Sequence, residues 1–216
     1  MAVSTGLQKL DAFLSGGIPR GVITDVFGGN GTGKTQLLLQ LAASSVRSGD
    51  RVLYIDTTGK FRPERIVEIQ RQSGAAPNLE KITASRITNT SEQIRSTQTM
   101  LDFSLVIIDS ITDLFTYEYA GRESVLERNS LFMKYMRTIS NIATSKGIPV
   151  VVANTVRTIN ETEIESMKSA IDPFTHIKIH LSHIGNKFHG RVYWALAEED
   201  FAYELGASGL CKPQDI

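Results

Sequence analysis

Short apolar segments rich in β-branched residues recur along the first two thirds of the chain. Each has the length of a strand, and their apolar side chains would occupy both faces of a sheet. Strands that are buried on both faces are typical of parallel sheets covered by helices. The sequence therefore predicts parallel strands at Val22–Phe27, Arg51–Ile55, Leu105–Ile108 and Ile148–Ala153.

Longer amphipathic segments with helical spacing lie between these strands. Pro63 stands just inside the start of one of them, where a proline is tolerated because the first-turn amides have no helical acceptor. The alternation of strand and helix predicts an α/β fold with right-handed crossover connections. The predicted helices are Lys34–Arg47, Arg62–Ser73, Ser91–Leu101 and Ser124–Ser145.

The last third of the chain has a different pattern. His176–Ser182 alternates polar and apolar residues, and Gly185–Asn186 with Gly190 marks a turn before a further strand at Arg191–Ala197. This pattern predicts antiparallel strands at the C-terminal edge of the sheet. The polar and acidic segment 155–173 is predicted to be the longest loop. No internal repeat or linker divides residues 1–216, so we predict a single domain.

The composition of the 216 residues, 41% of them hydrophobic, suits a folded chain with one buried core. Lysine and arginine (23) balance aspartate and glutamate (23), so net charge indicates neither a nucleic acid nor a membrane partner. Residues 120–191, however, hold ten basic against six acidic residues and all four histidines, which points modestly to an anionic partner.

The single cysteine, Cys211, excludes an intrachain disulfide and a cysteine metal cage. A reducing compartment suits such a chain. The N-terminus lacks the pattern of a signal peptide, and no segment approaches the roughly 18 consecutive apolar residues of a membrane span. We therefore expect an intracellular protein without a membrane partner.

A glycine-rich motif stands between the first predicted strand and the first predicted helix. It satisfies G-x-x-x-x-G-K-[S/T], and its flanking strand and helix are the context that a P-loop requires. Backbone amides of such a loop face phosphate groups, the lysine reaches the β- and γ-phosphates, and the hydroxyl binds Mg²⁺. The predicted ATP-binding residues are Gly28, Gly29, Asn30, Gly31, Thr32, Gly33, Lys34 and Thr35.

The strand Leu105–Ile108 is followed by the carboxylate of Asp109. In a P-loop protein, a carboxylate at this place orders Mg²⁺ through its water shell. We therefore predict that Thr35 and Asp109 form the Mg²⁺ site and that Lys34 and Asp109 carry the chemistry on ATP. The alternative is a solvated strand end.

Four ordered blocks of the sequence form a family pattern: Ser4–Leu39, Tyr54–Arg65 (YIDTTGKFRPER), Ile107–Leu114 (IIDSITDL) and Glu118–Arg122 (EYAGR). Together they resemble the ATPase core of RecA/RadA-type recombinases, most closely the archaeal RadB-type paralogs. The similarity runs from about Ser4 to Asn154, and the chain begins directly at this core, so we expect no N-terminal helical domain.

The resemblance implies a RecA-like P-loop ATPase core, with a mostly parallel twisted sheet flanked by helices. It also implies an accessory role in homologous recombination and DNA repair, with weak ATPase activity and no strand exchange. The implied partners are single-stranded or branched DNA and a recombinase or other recombination proteins, in the cytoplasm with the nucleoid. A homo-oligomer is compatible with it.

Two positions depart from the family pattern. Thr58 stands where the family has a glutamate that activates the attacking water, and a hydroxyl cannot accept that proton. Thr155 stands where the family has a glutamine that senses the γ-phosphate. Asp56 is the candidate substitute base. These departures favour a weak ATPase over the alternatives, which are an active DNA-dependent recombinase and a nucleotide-gated module without DNA binding.

The resemblance also assigns three arginines. Arg65 matches the residue that lies over the adenine, whereas Arg122 and Arg128 match or follow a DNA-phosphate contact. Each of the three has the alternative of a solvated surface arginine. Strand alternation places His176 and His180 on one face with a lysine between them, which disfavours a zinc site.

Overall fold

The computed structural model describes residues 2–159 and 162–213. The helices are α1 (Gln8–Phe13), α2 (Lys34–Arg47), α3 (Pro63–Gln72), α4 (Thr90–Arg95), α5 (Asp113–Glu118), α6 (Val125–Lys146) and α7 (Lys168–Ile171). The strands are β1 (Ile23–Gly28), β2 (Val52–Asp56), β3 (Ile82–Arg86), β4 (Leu105–Asp109), β5 (Val150–Ile159), β6 (Thr162–Glu165), β7 (Ile177–Ile184), β8 (Lys187–Trp194), β9 (Ala197–Gly206) and β10 (Gly209–Cys211).

The strands form a sheet in the order β10-β9-β8-β7-β1-β5-β4-β2-β3, with β6 paired to β5. The pairs from β7 to β3 are all parallel, whereas β7, β8, β9 and β10 pair antiparallel. This arrangement confirms the predicted α/β fold with antiparallel strands at the C-terminal edge. It is consistent with a RecA-like core.

Helices cover both faces of the parallel region, so its strands are buried on both sides as their composition requires. On one face, α2 and α3 pack on the sheet through Leu37, Leu38, Leu41, Ile66 and Ile69. On the other, α5 and α6 pack through Phe115, Phe132, Tyr135, Met136 and Ile139. Within the described ranges, no helix combines the length and apolar character needed to cross a membrane.

Local sequence signals explain several helix ends. Pro63 begins α3, as predicted, and Gly147 ends α6 in the left-handed conformation with φ of 61°. The Asn89 side chain caps α4 by accepting a hydrogen bond from the Glu92 amide at 2.9 Å. The helix predicted at Ser91–Leu101 is split, because α4 gives way to the 3₁₀ helix Ser96–Asp102.

Two predictions for the C-terminal third are wrong. Segment 155–173 is not a loop, because β5 continues to Ile159 and β6 and α7 follow; residues 160 and 161 lie outside the described part. The strand predicted at Arg191–Ala197 runs from Lys187 to Trp194, so Gly190 lies within it and does not mark the preceding turn. Ala195 and Leu196 form a tight turn after Trp194 with φ of 50° and 67°, and neither residue is a typical signal for that backbone.

A cluster of charged side chains lies beneath the β5–β6 hairpin. Lys178 on β7 contacts Glu165, Asp172 and Asp25, the last with 3.5 Å between Nζ and Oδ2. Asp25 is fully buried on β1, and neither of its oxygens accepts a hydrogen bond from the described residues. Burial, with Glu165 adding to it, raises the pKa of Asp25 well above its ordinary value.

We predict that Asp25→Asn reduces the loss of stability that accompanies rising pH. The folded chain keeps a proton on Asp25 that the unfolded chain releases above about pH 4, so wild-type stability falls as pH rises. The asparagine side chain has no proton to release, so the variant lacks this dependence of stability on pH. Urea unfolding from pH 4 to pH 8 should show its free energy of unfolding increasing relative to that of wild type as the pH rises. The exposed control Asp102→Asn should follow wild type. A constant difference between wild type and Asp25→Asn would contradict the prediction.

Candidate nucleotide site and DNA-binding residues

The P-loop connects the end of β1 to the start of α2, as predicted. Gly28 must be a glycine because a Cβ there would lie 2.0 Å from the Leu181 carbonyl oxygen of the neighbouring strand β7. Gly33 adopts φ of 94° immediately before α2. Thr32 closes the loop, since its hydroxyl donates to the Gly29 carbonyl at 2.9 Å. The Tyr203 hydroxyl of β9 donates to the Thr32 carbonyl at 2.6 Å, which ties the loop to the antiparallel strands.

Lys34 lies over this loop. Its Nζ donates to the carbonyl oxygens of Gly28 at 2.8 Å and Gly29 at 2.7 Å. Burial lowers the pKa of the Lys34 ammonium, and the carboxylates of Asp109, Asp113 and Glu163 oppose that shift. The ammonium is therefore held at the mouth of a loop whose shape suits phosphate groups.

Thr35 and Asp109 meet at the base of the loop. The Thr35 hydroxyl donates to Oδ2 of Asp109 at 2.7 Å, and the Tyr54 hydroxyl donates to the same oxygen at 3.0 Å. Burial raises the pKa of Asp109, while these two hydrogen bonds oppose the shift.

The donor set at the base of the loop fits Mg²⁺. A hydroxyl oxygen and a carboxylate oxygen lie side by side, and both are hard ligands that this ion prefers. Oδ1 of Asp109 accepts no hydrogen bond from the described residues, which leaves it for a metal-bound water. Thr35 would bind the ion directly and Asp109 through water, and the ion would neutralise phosphate charge.

A cavity of about 300 Å³ brings these residues together with others that are distant in sequence. Its wall includes both positions that depart from the family pattern, Thr58 and Thr155. It also holds two charged residues that the sequence analysis did not single out, Lys60 and Asp113. The remaining lining residues are Asn30, Gly31, Gly33, Lys34, Thr35, Gln36, Asp109, Ser110 and Leu205.

Asp56 organises the loop after β2. Its carboxylate accepts hydrogen bonds from the amides of Thr58, Gly59, Lys60 and Phe61 and from the Thr58 hydroxyl, over 2.7–3.3 Å. Asp56 is also buried, with 5% of its surface exposed. A carboxylate that is occupied in this way holds Thr58 in place, and its geometry does not favour the suggested role of substitute base.

Asn154 positions Thr155 at the end of the buried part of β5. Its Oδ1 accepts from the Thr155 amide at 2.9 Å and from the Thr112 hydroxyl at 2.7 Å. Its Nδ2 donates to Glu165 at 3.1 Å and to the Ser166 carbonyl at 3.0 Å. One buried amide therefore joins the nucleotide cavity to the charged cluster beneath the β5–β6 hairpin.

Arg65 lies between α2, α3 and the end of β9. Its Nε donates to Gln36 at 2.7 Å, and its terminal nitrogens contact Glu68 and the Gly206 carbonyl. Gln36 lines the cavity, so Arg65 is next to it without being part of its wall. Its contact with adenine stays a prediction.

The two arginines predicted to bind DNA have different surroundings. Arg122 is exposed in the 3₁₀ turn Arg122–Ser124. Arg128 is half-buried on α6, and its Nε is enclosed without an acceptor among the described residues. The Arg122 side chain is thus accessible to a phosphate, whereas the Nε region of the Arg128 side chain is enclosed by neighbouring residues.

The histidine strand takes part in packing. The His180 ring stacks on Phe27 with centroids 4.7 Å apart and bonds to Glu163 at 3.1 Å. Over the described ranges, no group of three or more His, Cys, Asp or Glu residues has the arrangement of a metal site.

Comparison with known proteins identifies relatives of this chain. A family model described as Rad51 matches residues 1–187. The chain is 35% identical over 170 residues to the DNA repair protein RAD51 of Saccharomyces cerevisiae, which covers 72% of the chain and 42% of that protein. It is 36% identical over 168 residues to the DNA repair and recombination protein RadA of Cenarchaeum symbiosum, and this match covers 71% of the chain and 42% of that protein. The chain is 34% identical over 169 residues to the DNA repair and recombination protein RadA of Metallosphaera sedula, and this match covers 71% of the chain and 52% of that protein. The chain spans about half the length of the curated relatives that it matches.

We predict that Lys34→Ala abolishes detectable ATP binding and leaves the fold intact. The ammonium is the cation that the P-loop supplies to the β- and γ-phosphates, and alanine removes it while the hydrogen bonds of Thr32 and Tyr203 still hold the loop. Titration with ATP, followed by calorimetry, measures the loss. Lys134→Ala on the exposed side of α6 is the matched control. An unchanged ATP affinity of Lys34→Ala would refute the P-loop assignment.

Proposed function

The chain belongs to the Rad51 family, and on this basis we propose that it is an ATP-binding accessory protein of homologous recombination and DNA repair. In this proposal it resembles the archaeal RadB-type paralogs: it binds DNA, hydrolyses ATP very slowly and does not exchange strands by itself. The observation that carries the proposal is the cavity wall, where an intact P-loop faces Thr58 and Thr155.

The binding half of the site supports a role for ATP and Mg²⁺. Lys34 is held at the loop by two carbonyl oxygens, and Thr35 and Asp109 are in hydrogen-bond contact. Lys60 adds a second ammonium to the cavity wall. This combination of amides, cations and hard oxygen ligands suits a nucleoside triphosphate with its metal.

The catalytic half of the site supports slow hydrolysis. Thr58 offers a hydroxyl where a carboxylate would activate water, and general-base help is commonly worth ~10²–10⁴-fold in rate. Thr155 is too short to reach a γ-phosphate as a glutamine does. Losing both groups weakens hydrolysis while the contacts that bind the nucleotide remain.

The surface around α5 supports DNA binding. Arg122 is exposed, and Tyr117 at 82% and Leu126 at 83% exposure flank it in sequence. Exposed aromatic and cationic side chains suit the bases and phosphates of single-stranded or branched DNA. Arg157 on β5 is a further exposed cation. We infer that a recombinase or another recombination protein is the protein partner, and that the chain acts in the cytoplasm with the nucleoid.

We predict that Thr58→Glu raises ATP turnover at least ~10-fold with little change in ATP affinity. The substitution supplies a carboxylate next to the γ-phosphate region, while Lys34, Thr35 and Asp109 are untouched. Adding Thr155→Gln should raise turnover further and increase its response to single-stranded DNA, because groups that act as a unit are not additive.

Steady-state phosphate release by wild type, both single variants and the double variant measures this effect. Thr138→Glu on the exposed surface of α6 introduces the same charge away from the cavity and should behave as wild type. Brisk wild-type turnover that Thr58→Glu leaves unchanged would contradict the proposal and favour an active DNA-dependent ATPase.

We predict that Arg122→Ala weakens DNA binding about equally for all sequences. Loss of one phosphate contact lowers the slope of log affinity against log salt by roughly one unit. Fluorescence anisotropy with labelled single-stranded DNA at several salt concentrations measures both quantities. Arg71→Ala, an exposed arginine on α3, is the control. Wild-type protein that binds no DNA, with or without ATP, would instead favour a nucleotide-gated interaction module.

A further inference from the structure

The nucleotide cavity has a carboxylate that neither the family motif nor the proposed function uses. Asp113 lines the cavity with Lys34, Thr58 and Thr155. It occupies the last open position of the V-D-S-x-x-x-L pattern, so the resemblance assigns it no role. Resting on the proposed slow hydrolysis of ATP, we propose that Asp113 is the general base that activates the attacking water.

The other carboxylates near the phosphate region are engaged in hydrogen bonds of their own. Asp56 accepts five hydrogen bonds within its own loop. Oδ2 of Asp109 accepts from Thr35 and Tyr54, which suits the metal side of the site. Glu163 hydrogen-bonds to His180 at 3.1 Å and is not part of the cavity wall. Asp113 is the remaining carboxylate on the described wall.

The structure holds Asp113 in a defined position. The Ser110 hydroxyl donates to Oδ1 of Asp113 at 2.9 Å, whereas no described residue donates to Oδ2. The backbone is anchored on both sides, because Thr112 donates to the buried Asn154 at 2.7 Å and Phe115 is fully buried in the core. One oxygen is therefore fixed and the other is left to accept a proton from water.

Asp113 shares the cavity with the groups that this role requires. Lys34, which reaches the γ-phosphate in a P-loop, is close enough for the Asp113 carboxylate to oppose the lowering of its pKa by burial. Thr58 marks the place from which the family's glutamate acts. The Asp113 carboxylate lines the same cavity of about 300 Å³ as both residues. The proposed role places one water between this carboxylate and the γ-phosphate.

The step balances with the groups at hand. Oδ2 of Asp113 accepts a proton as the water oxygen forms a bond to the γ-phosphorus. The bond between that phosphorus and the β–γ bridging oxygen breaks, so that ADP and inorganic phosphate are formed. Asp113 then releases the proton to solvent, and no further reactant is needed.

The test compares phosphate release from radiolabelled ATP, with enzyme in excess, by wild type, Asp113→Asn, Thr58→Glu and the double variant. Lys34→Ala gives the background rate, and calorimetric titration gives each ATP affinity. We expect Asp113→Asn to lower the slow wild-type rate at least ~10-fold, with ATP affinity kept within about threefold. The double variant should retain the rate of Thr58→Glu within about threefold, because a base at position 58 replaces the one removed.

The double variant separates a base from a structural residue. If Asp113 only supports the fold through Ser110, a carboxylate at position 58 cannot rescue the double variant, and that result overturns the assignment. A rate of Asp113→Asn equal to wild type, with ATP still bound, also overturns it, as does loss of turnover in Glu163→Gln but not in Asp113→Asn. Asp102→Asn is the exposed control. Failure of the wild-type chain to bind ATP would instead refute the proposed function on which this role depends.

Discussion

The register of the parallel strands governs the whole site. Asp56 pairs with Asp109, Asp109 with Ala153, and Ala153 with Val26, so these positions of four parallel strands lie at one level of the sheet, where β2 and β4 end. The P-loop and the segments that carry Thr58, Asp113 and Thr155 come directly after these aligned positions in the chain. A slip of one residue in β4 would turn Asp109 to the opposite face and break its hydrogen bond to Thr35. Burial of β4 on both faces, with all five residues buried, makes such a slip costly.

In the proposed function, the binding of ATP and its hydrolysis depend on different groups at this edge of the sheet. Lys34, Thr35 and Asp109 are held by hydrogen bonds of 2.7–2.8 Å, and their arrangement suits a nucleotide with its metal. Asp56 is occupied in shaping the loop that carries Thr58. A chain under these constraints can keep its affinity for ATP while losing most of the rate, because the two properties depend on different side chains.

Asn154 links the cavity to the hairpin formed by β5 and β6. It touches the Thr155 amide on one side and Glu165 on the other, and Glu165 pairs with Lys178 above the buried Asp25. These contacts are buried and charged, so a displacement at the cavity wall would leave polar groups unpaired at the hairpin. Asn154 on β5 is therefore the physical connection between the nucleotide cavity and the hairpin that carries Arg157.

Short-range patterns in the sequence alone determined several elements of the fold and part of the candidate site. The P-loop, the helix Lys34–Arg47 and Asp109 follow from short-range patterns, because glycines, apolar runs and a terminal carboxylate act within a few residues. The exposed edge strand β3 gave no such signal, since its conformation depends on pairing with β2 about 30 residues earlier. The turn at Ala195–Leu196 is local, but neither residue is typical of its backbone conformation. Only the tertiary structure decided the surroundings of two carboxylates. It enclosed Asp56 in its own loop and brought Asp113 to the cavity that holds Lys34, because burial and proximity arise when separate segments pack together.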